Sequence, residues 1–303
     1  MTYAAIPEGA VVVGIENWPA AADSVSWAAE QAFRDGRDVC LLHVVPRTTL
    51  EAGSPGEPAQ AHGRIVLASA RRFTARRLDE LSRIPAFYGH RRPEVSVALQ
   101  VGAVAPVLDL AAEHASLLVL GSRGRGPIGS WVLGSVSRST LRDARCPVVV
   151  LCPGAGGVGQ GVLVGIDGTA DSIPALEFAF ERAATGHLPV TVLYCYGAGG
   201  PDRPARDQVR VAACISGLRE RHPDLRPCLR IQAGSLAHAL TEQAQAMHMV
   251  VVGSRGDVGG YLLNHAHSIV AVVPTCRQDR GGRSSAAAIA FAGRIPENGQ
   301  VDL

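Results

Sequence analysis

Glycines set the first chemical question. The stretch "GSRGRGPIGSWVLGSVS", Gly121 to Ser137, places them at 121, 124, 126, 129 and 134, and Ser135 follows the last. Gly121 and Gly124 lack a Cβ atom, so the backbone there can turn sharply and bring its N–H groups close to a polyphosphate. Gly134-Ser135 opens a segment of helical character, where free N–H groups, the helix dipole and a hydroxyl all favour an anion. The spacing is G-x2-G-x9-G-S. Arg123 and Arg125 are the only cations of the loop, and an arginine can clamp phosphate bidentately. The plain alternative is a glycine-rich surface loop with an ordinary helix cap at Ser135 and both arginines in solvent.

Other catalytic signatures are missing. The sequence has no P-loop G-x4-G-K-[ST], no H-E-x-x-H and no nucleophile elbow. No residue stands out as a water-activating base, so fast ATP hydrolysis is not expected, and slow Mg²⁺-assisted hydrolysis is the most the sequence allows. His265 and His267, spaced i, i+2, share a face only on a strand, and a segment entering the last strand explains them better than a metal pair. His43, within a strand-like run, reads as a satisfied structural histidine. A nicotinamide-dependent oxidoreductase is disfavoured, because the first βα turn is Gly14-Ile15-Glu16-Asn17-Trp18, without G-x-G-x-x-G.

The loop needs elements to hold it. Short β-branched runs near 11–15, 39–45, 95–101, 117–121 and 147–151 read as buried parallel strands. Segments near 20–34, 60–83, 103–114 and 135–143 have helical spacing. Alternating strands and helices imply a parallel sheet covered on both faces, and Gly121 ends the fourth strand. Ligands of such sheets bind outside the carboxyl ends of the strands, where the direction of winding reverses.

The chain also resembles itself. "AVVVGIENWPAAADSVSWAAEQA" (Ala10 to Ala32) matches "GVLVGIDGTADSIPALEFAFERA" (Gly161 to Ala183), and "ASLLVLGSRGRG" matches "MHMVVVGSRGDV". Two copies about 150 residues apart make a tandem duplication. Strands of the second copy are expected near 162–166, 190–195, 228–232, 248–253 and 269–273. "EAGSPGEPAQ" (51–60) reads as a loop, "CPGAGGVGQG" (152–161) as a linker, and 275–303 as a disordered tail.

With these motifs in place, the chain resembles the tandem universal stress proteins of actinobacteria, ATP-binding branch. "VVVGIENWPA", "LLHVVP" and "CPVVVLCP" match the family's first, second and fifth strands. The resemblance implies an α/β fold of two flavodoxin-like domains of the adenine nucleotide alpha hydrolase type, 8–153 and 161–274. Each would be a five-stranded parallel sheet of order 3-2-1-4-5, with fifth strands pairing across a domain or dimer interface. It implies that Gly121, Gly124, Gly134 and Ser135 hold the ribose and phosphates of ATP with Mg²⁺, and that Gly14, Glu16 and Val44 border the adenine. The family usually has Asp at position 16, in D-G-S or D-x-S. A glutamate can still accept from adenine or ribose, or it can crowd the pocket.

The second copy keeps half a site. It has Asp167 and the turn Gly253-Ser254-Arg255-Gly256, but between that turn and the last strand it is about ten residues short. The missing stretch holds the equivalent of Gly134-Ser135 and much of the fourth helix. Asp167, Gly253 and Gly256 are therefore expected to form a degenerate site, empty or fit for something smaller, such as AMP or adenosine.

Composition narrows the rest. Lys plus Arg number 29 against 27 Asp plus Glu, and aromatics are 5%, so neither a nucleic acid nor an anionic membrane is recruited by a global field. Arg71, Arg72, Arg76 and Arg77 read as a solvated helix face. No apolar run spans a bilayer and no signal-type segment is recognised, which points to the cytoplasm. The seven cysteines form no C-x-x-C pair, and Cys40, Cys146, Cys152 and Cys195 are expected to be buried thiols. The expected function is regulatory rather than metabolic, with an adenine nucleotide, a homodimer and a protein partner. The alternative is a stress scaffold that binds no ATP and assembles through its fifth strands.

Overall fold

The computed structural model of the chain describes residues 6–46, 56–121, 144–152, 159–197, 203–266 and 268–275. Apolar, β-branched runs give strands β1 (Val11–Gly14), β2 (Val39–Val45), β3 (Val95–Val101), β4 (Leu117–Gly121) and β5 (Val148–Leu151). The second half supplies β6 (Val162–Ile166), β7 (Val190–Tyr196), β8 (Cys228–Ala233), β9 (Met249–Gly253) and β10 (Ile269–Val273). Both match the expected positions to within a residue or two.

Helices α1 (Ala22–Asp35), α2 (Gly56–Leu81) and α3 (Val104–His114) belong to the first half. Helices α4 (Ile173–Gly186), α5 (Arg203–Arg221), α6 (Leu236–Ala244) and α7 (Val258–His265) belong to the second. Helix α2 starts inside the segment read from sequence as a loop, 51–60. Pro58 falls in its first turn, where a missing N–H breaks no intrahelical bond, so proline there starts a helix rather than preventing one.

The strands form one ten-stranded sheet of order β3-β2-β1-β4-β5-β10-β9-β6-β7-β8, with the fifth strands of the two copies side by side at its centre. Every neighbouring pair is parallel except β5 and β10, which run antiparallel with Val149 opposite Ala271 and Val150 opposite Val270. Both edges of β5 and both edges of β10 are thereby taken within the chain. Assembly of separate chains through fifth strands is corrected accordingly, since no such edge is open.

Strand alternation sends side chains to two cores. Val11 and Val13 pack with α1 and α2 on one face, Val12 with α3 on the other. In the second half, α4 and α5 cover the first face, and α6 and α7 the opposite one. Helices α1 and α4 end alike, on a left-handed residue: Gly36 at φ 64° and His187 at φ 51°.

The two halves also meet through these helices at positions related by the sequence repeat. Gln31 and Arg182, 151 residues apart, touch, with Arg182 Nη1 donating to Gln31 Oε1 at 2.9 Å. Arg34 and Thr185 are separated by the same interval, and the Arg34 guanidinium donates to the Thr185 carbonyl. Arg182 further binds both oxygens of Asp35 at 3.0 and 2.9 Å, in an ion pair whose side chains are only 10% and 18% exposed.

Candidate functional site

In the first half, β1 lies between β2 and β4, so Gly14, Glu16 and Gly121 come to neighbouring strand ends. This is the point where winding reverses, the place at which open parallel sheets bind ligands. Gly14 ends β1 opposite Leu120, and a Cβ there would stand 2.8 Å from Leu120 Cδ2. Glycine at 14 is thus explained by packing alone. The next residue, Ile15, is held from β2: its N–H donates to the Leu42 carbonyl at 2.8 Å, and its carbonyl accepts from His43 Nδ1 at 2.8 Å. That bond satisfies the buried His43 and steadies the turn that presents Glu16 to solvent.

Val44 is half-buried at the same end of β2, two residues beyond Leu42, the partner of Gly14. Gly121 ends β4, and a Cβ there would lie 3.1 Å from Ser24 Oγ, so glycine lets the strand end approach the first turn of α1. Ser24 is 3% exposed, and sequence reading did not single it out. Arg123, Gly124, Gly134 and Ser135 lie outside the described residues. Gly14, Glu16, Val44 and Gly121 are thus brought to one rim, formed by the carboxyl ends of β2, β1 and β4.

The corresponding rim of the second half is built differently. Asp167 Oδ1 accepts from the Thr169 N–H at 2.9 Å, the Thr169 hydroxyl at 2.7 Å and the Ser172 hydroxyl at 2.6 Å. Burial pushes the Asp167 carboxyl up, but the bonds from Ser172 and Thr169 outweigh it and hold the group below its ordinary value. The Thr169 N–H bond to Asp167 Oδ1 closes an Asx turn. Gly168 takes φ 73°, against the Tyr194 ring.

Across the rim, Arg255 pairs with Asp171. The Ser254 N–H donates to the Val273 carbonyl at 2.8 Å. Gly256 takes φ 75°, and α7 begins directly after it with Asp257 at its N-cap. A carboxylate at that position puts negative charge where a helix would otherwise receive an anion.

Fifteen residues separate β9 from β10, against 26 between β4 and β5. The fourth helix of the second half, expected from sequence to be largely missing, survives as the eight-residue α7. It packs close to the sheet, since a Cβ on Gly259 would stand 2.9 Å from Val272. His265 is engaged locally, its Nδ1 donating to the Tyr261 carbonyl at 2.7 Å with the rings stacked, and His267 lies outside the described residues.

Among the described residues, no group of three His, Cys, Asp or Glu side chains is placed to hold a metal, and no helix is long and apolar enough to cross a membrane. Cys40, Cys146 and Cys152 are buried, and burial pushes the Cys146 and Cys152 thiols up to about 12 and about 11. Such thiols are poor nucleophiles. Cys195, expected to be buried, is half-buried, because it stands near the end of β7.

Residues 9–151 match the Universal stress protein family. A universal stress protein of Mycobacterium tuberculosis is 30% identical over 270 residues, covering 83% of this chain and 88% of that one. A universal stress protein of Mycolicibacterium smegmatis is 28% identical over 280 residues, covering 87% and 94%. Among solved structures, a universal stress protein from Archaeoglobus fulgidus has the same fold, with a TM-score of 0.69 at 16% identity over 89% of this chain and 97% of that one. The length of the mycobacterial match, across both halves of the sheet, identifies the chain as a member of the universal stress protein family.

Proposed function

We propose that the chain is a regulatory universal stress protein of the ATP-binding branch, built of two tandem domains, 8–153 and 161–274, each with strand order 3-2-1-4-5. The first domain holds ATP with Mg²⁺, and the second is mainly structural. One observation carries this reading: Gly121, which opens G-x2-G-x9-G-S, stands at the end of β4 on the rim that also presents Gly14 and Glu16. In this reading Gly121, Gly124, Gly134 and Ser135 hold the ribose and phosphates, Arg123 adds charge, and Gly14, Glu16 and Val44 border the base. Asp167, Gly253 and Gly256 make a degenerate counterpart. Its turn is tied to Asp171 and its helix opens on Asp257, so a triphosphate is disfavoured there. We place the protein in the cytoplasm, as a homodimer that signals its nucleotide state to a protein partner through surfaces other than the fifth strands.

Calorimetric titration of nucleotide-free chain with Mg²⁺-ATP tests this, alongside Gly124→Glu. One site per chain, lost in the folded variant, supports the assignment. Two sites overturn the degeneracy of the second rim. No site in the folded wild-type chain leaves the scaffold reading, which the glutamate at position 16 favours.

A further inference from the structure

The sheet has two outer strands, β3 and β8. Hydrogen bonds at the ends of β3 fix which of its backbone groups face outward. The Glu94 carbonyl accepts from the Val39 N–H at 2.9 Å, and the Gly102 N–H donates to the Val45 carbonyl at 3.1 Å, both on the β2 side. The register between them is unbroken, from Val39 opposite Val95 to Val45 opposite Val101, and successive residues of such a ladder bond to alternate sides. Val95, Val97, Leu99 and Val101 therefore turn their N–H and C=O groups away from β2. Among the described residues, no backbone partner meets them.

An open edge is a template for another strand, and a charge or a proline on it is the usual guard. The six-residue β8 carries Arg230, which is exposed and donates to Gln243 Oε1 at 2.9 Å. The seven residues of β3, VSVALQV, include neither a charge nor a proline. They also read nearly alike in both directions about Ala98: valine stands at either end, Ser96 mirrors Gln100, and Val97 mirrors Leu99. Val95, Val97, Leu99 and Val101 share the face covered by α2, while Ala98 belongs to the opposite core.

We propose that β3 is a docking edge for a second copy of this chain, with the two β3 strands antiparallel about a two-fold axis at Ala98. This names the surface of the homodimer in the function proposed above, and it rests on that homodimer. Val97 exchanges both of its hydrogen bonds with Leu99 of the partner subunit, and Val95 does so with Val101 of the partner subunit, giving about eight backbone bonds across the axis. Apolar side chains meet apolar ones on the α2 face, and Ser96 meets Gln100 of the partner subunit on the other. Moving the axis to Val97 or Leu99 would leave an end residue of β3 unmatched, so the mirrored sequence selects one register. The contact is isologous and closes at two copies.

The test uses the full-length chain. Sedimentation equilibrium should give a monomer–dimer equilibrium with a dissociation constant of about 1–100 µM, as fits a contact of one strand. By NMR, the amides of Val95, Val97, Leu99 and Val101 should exchange about tenfold more slowly where the dimer prevails than where the monomer does. Those of Leu229, Ile231 and Ala233, the outward set of β8 by the same rule, should not change with concentration. Val97→Pro removes an outward donor and no bond to β2, so it should keep the unfolding midpoint and weaken the dimer about tenfold or more. Ile231→Pro, on the other edge, should leave the dimer intact. A wild-type chain that stays monomeric at about 1 mM overturns the proposal and the homodimer together. A dimer with unprotected β3 amides, growth beyond two copies with β8 protected as well, or undiminished dimerisation of folded Val97→Pro overturns the β3 contact alone.

Discussion

The two rims of this sheet share strands and differ in what stands above them. On the first, β4 ends at Gly121 and 26 residues pass before β5. On the second, 15 residues connect β9 to β10, Arg255 reaches across to Asp171, and α7 starts at once on an acidic cap. Below the rims the copies are nearly interchangeable, because a buried parallel sheet accepts little besides β-branched and small side chains. Above them no such constraint acts. The second rim ties up its own polar groups, Asp167 binding Thr169 and Ser172 and Arg255 binding Asp171. A rim whose donors and acceptors are already paired with one another has less to offer a ligand.

The largest expected difference between the rims is in nucleotide affinity. Gly124→Glu, which sets a carboxylate beside the phosphates, should weaken Mg²⁺-ATP about 100-fold or more in calorimetry, whereas Gly256→Glu at the matching turn should leave it unchanged. Equal losses would break the comparison. A similarity comes next. Gly14 and Gly165 occupy equivalent strand positions, and an added Cβ would stand 2.8 Å from Leu120 in one case and 2.6 Å from Leu240 in the other. Gly14→Ala and Gly165→Ala should each cost about 1–3 kcal/mol in denaturant unfolding. A neutral Gly165→Ala beside a severe Gly14→Ala would show that Gly14 does more than make room.

A smaller effect separates the acids. Asp167→Ala should cost about 1 kcal/mol at pH 7, since the carboxylate is exposed despite its three bonds. The folded group titrates below its unfolded value, so its contribution is present above about pH 4 and is lost as the pH falls through the folded value. Unfolding curves of wild type and variant should therefore converge below about pH 4. Smallest is the helix cap. His187 holds a left-handed conformation at φ 51° that Gly36 holds without strain in the first half, so His187→Gly should stabilise the chain by about 0.5–1 kcal/mol.

Much of the skeleton was legible in the sequence because it follows from local pattern. β-branched runs located the first five strands, the repeat located the second five, and the repeat also exposed the shortened connection after β9. Gly121 could be set at the rim because strand ends and winding direction follow from the order of elements, whereas Gly14, Glu16 and Val44 were named by the resemblance to the family alone. Other features depend on residues far apart in the chain. Arg182 meets Asp35 across 147 residues, Arg255 meets Asp171 across 84, and nothing in the spacing of either pair announces it. The start of α2 at Gly56 was hidden by Pro58, whose meaning depends on which turn of a helix it occupies. The pairing of β5 with β10 could be expected from the resemblance alone, because their apolar residues are the same ones that a sheet ending there would also need.

That contact has a kinetic consequence. Two strands on separate molecules find each other at a rate set by protein concentration, whereas β5 and the second half are joined by only ten residues, 152–161. Short tethers hold their ends at effective concentrations on the order of millimolar, whatever the abundance of the protein. Dilution therefore cannot part the halves, and the sheet stays continuous even when few copies of the chain are present.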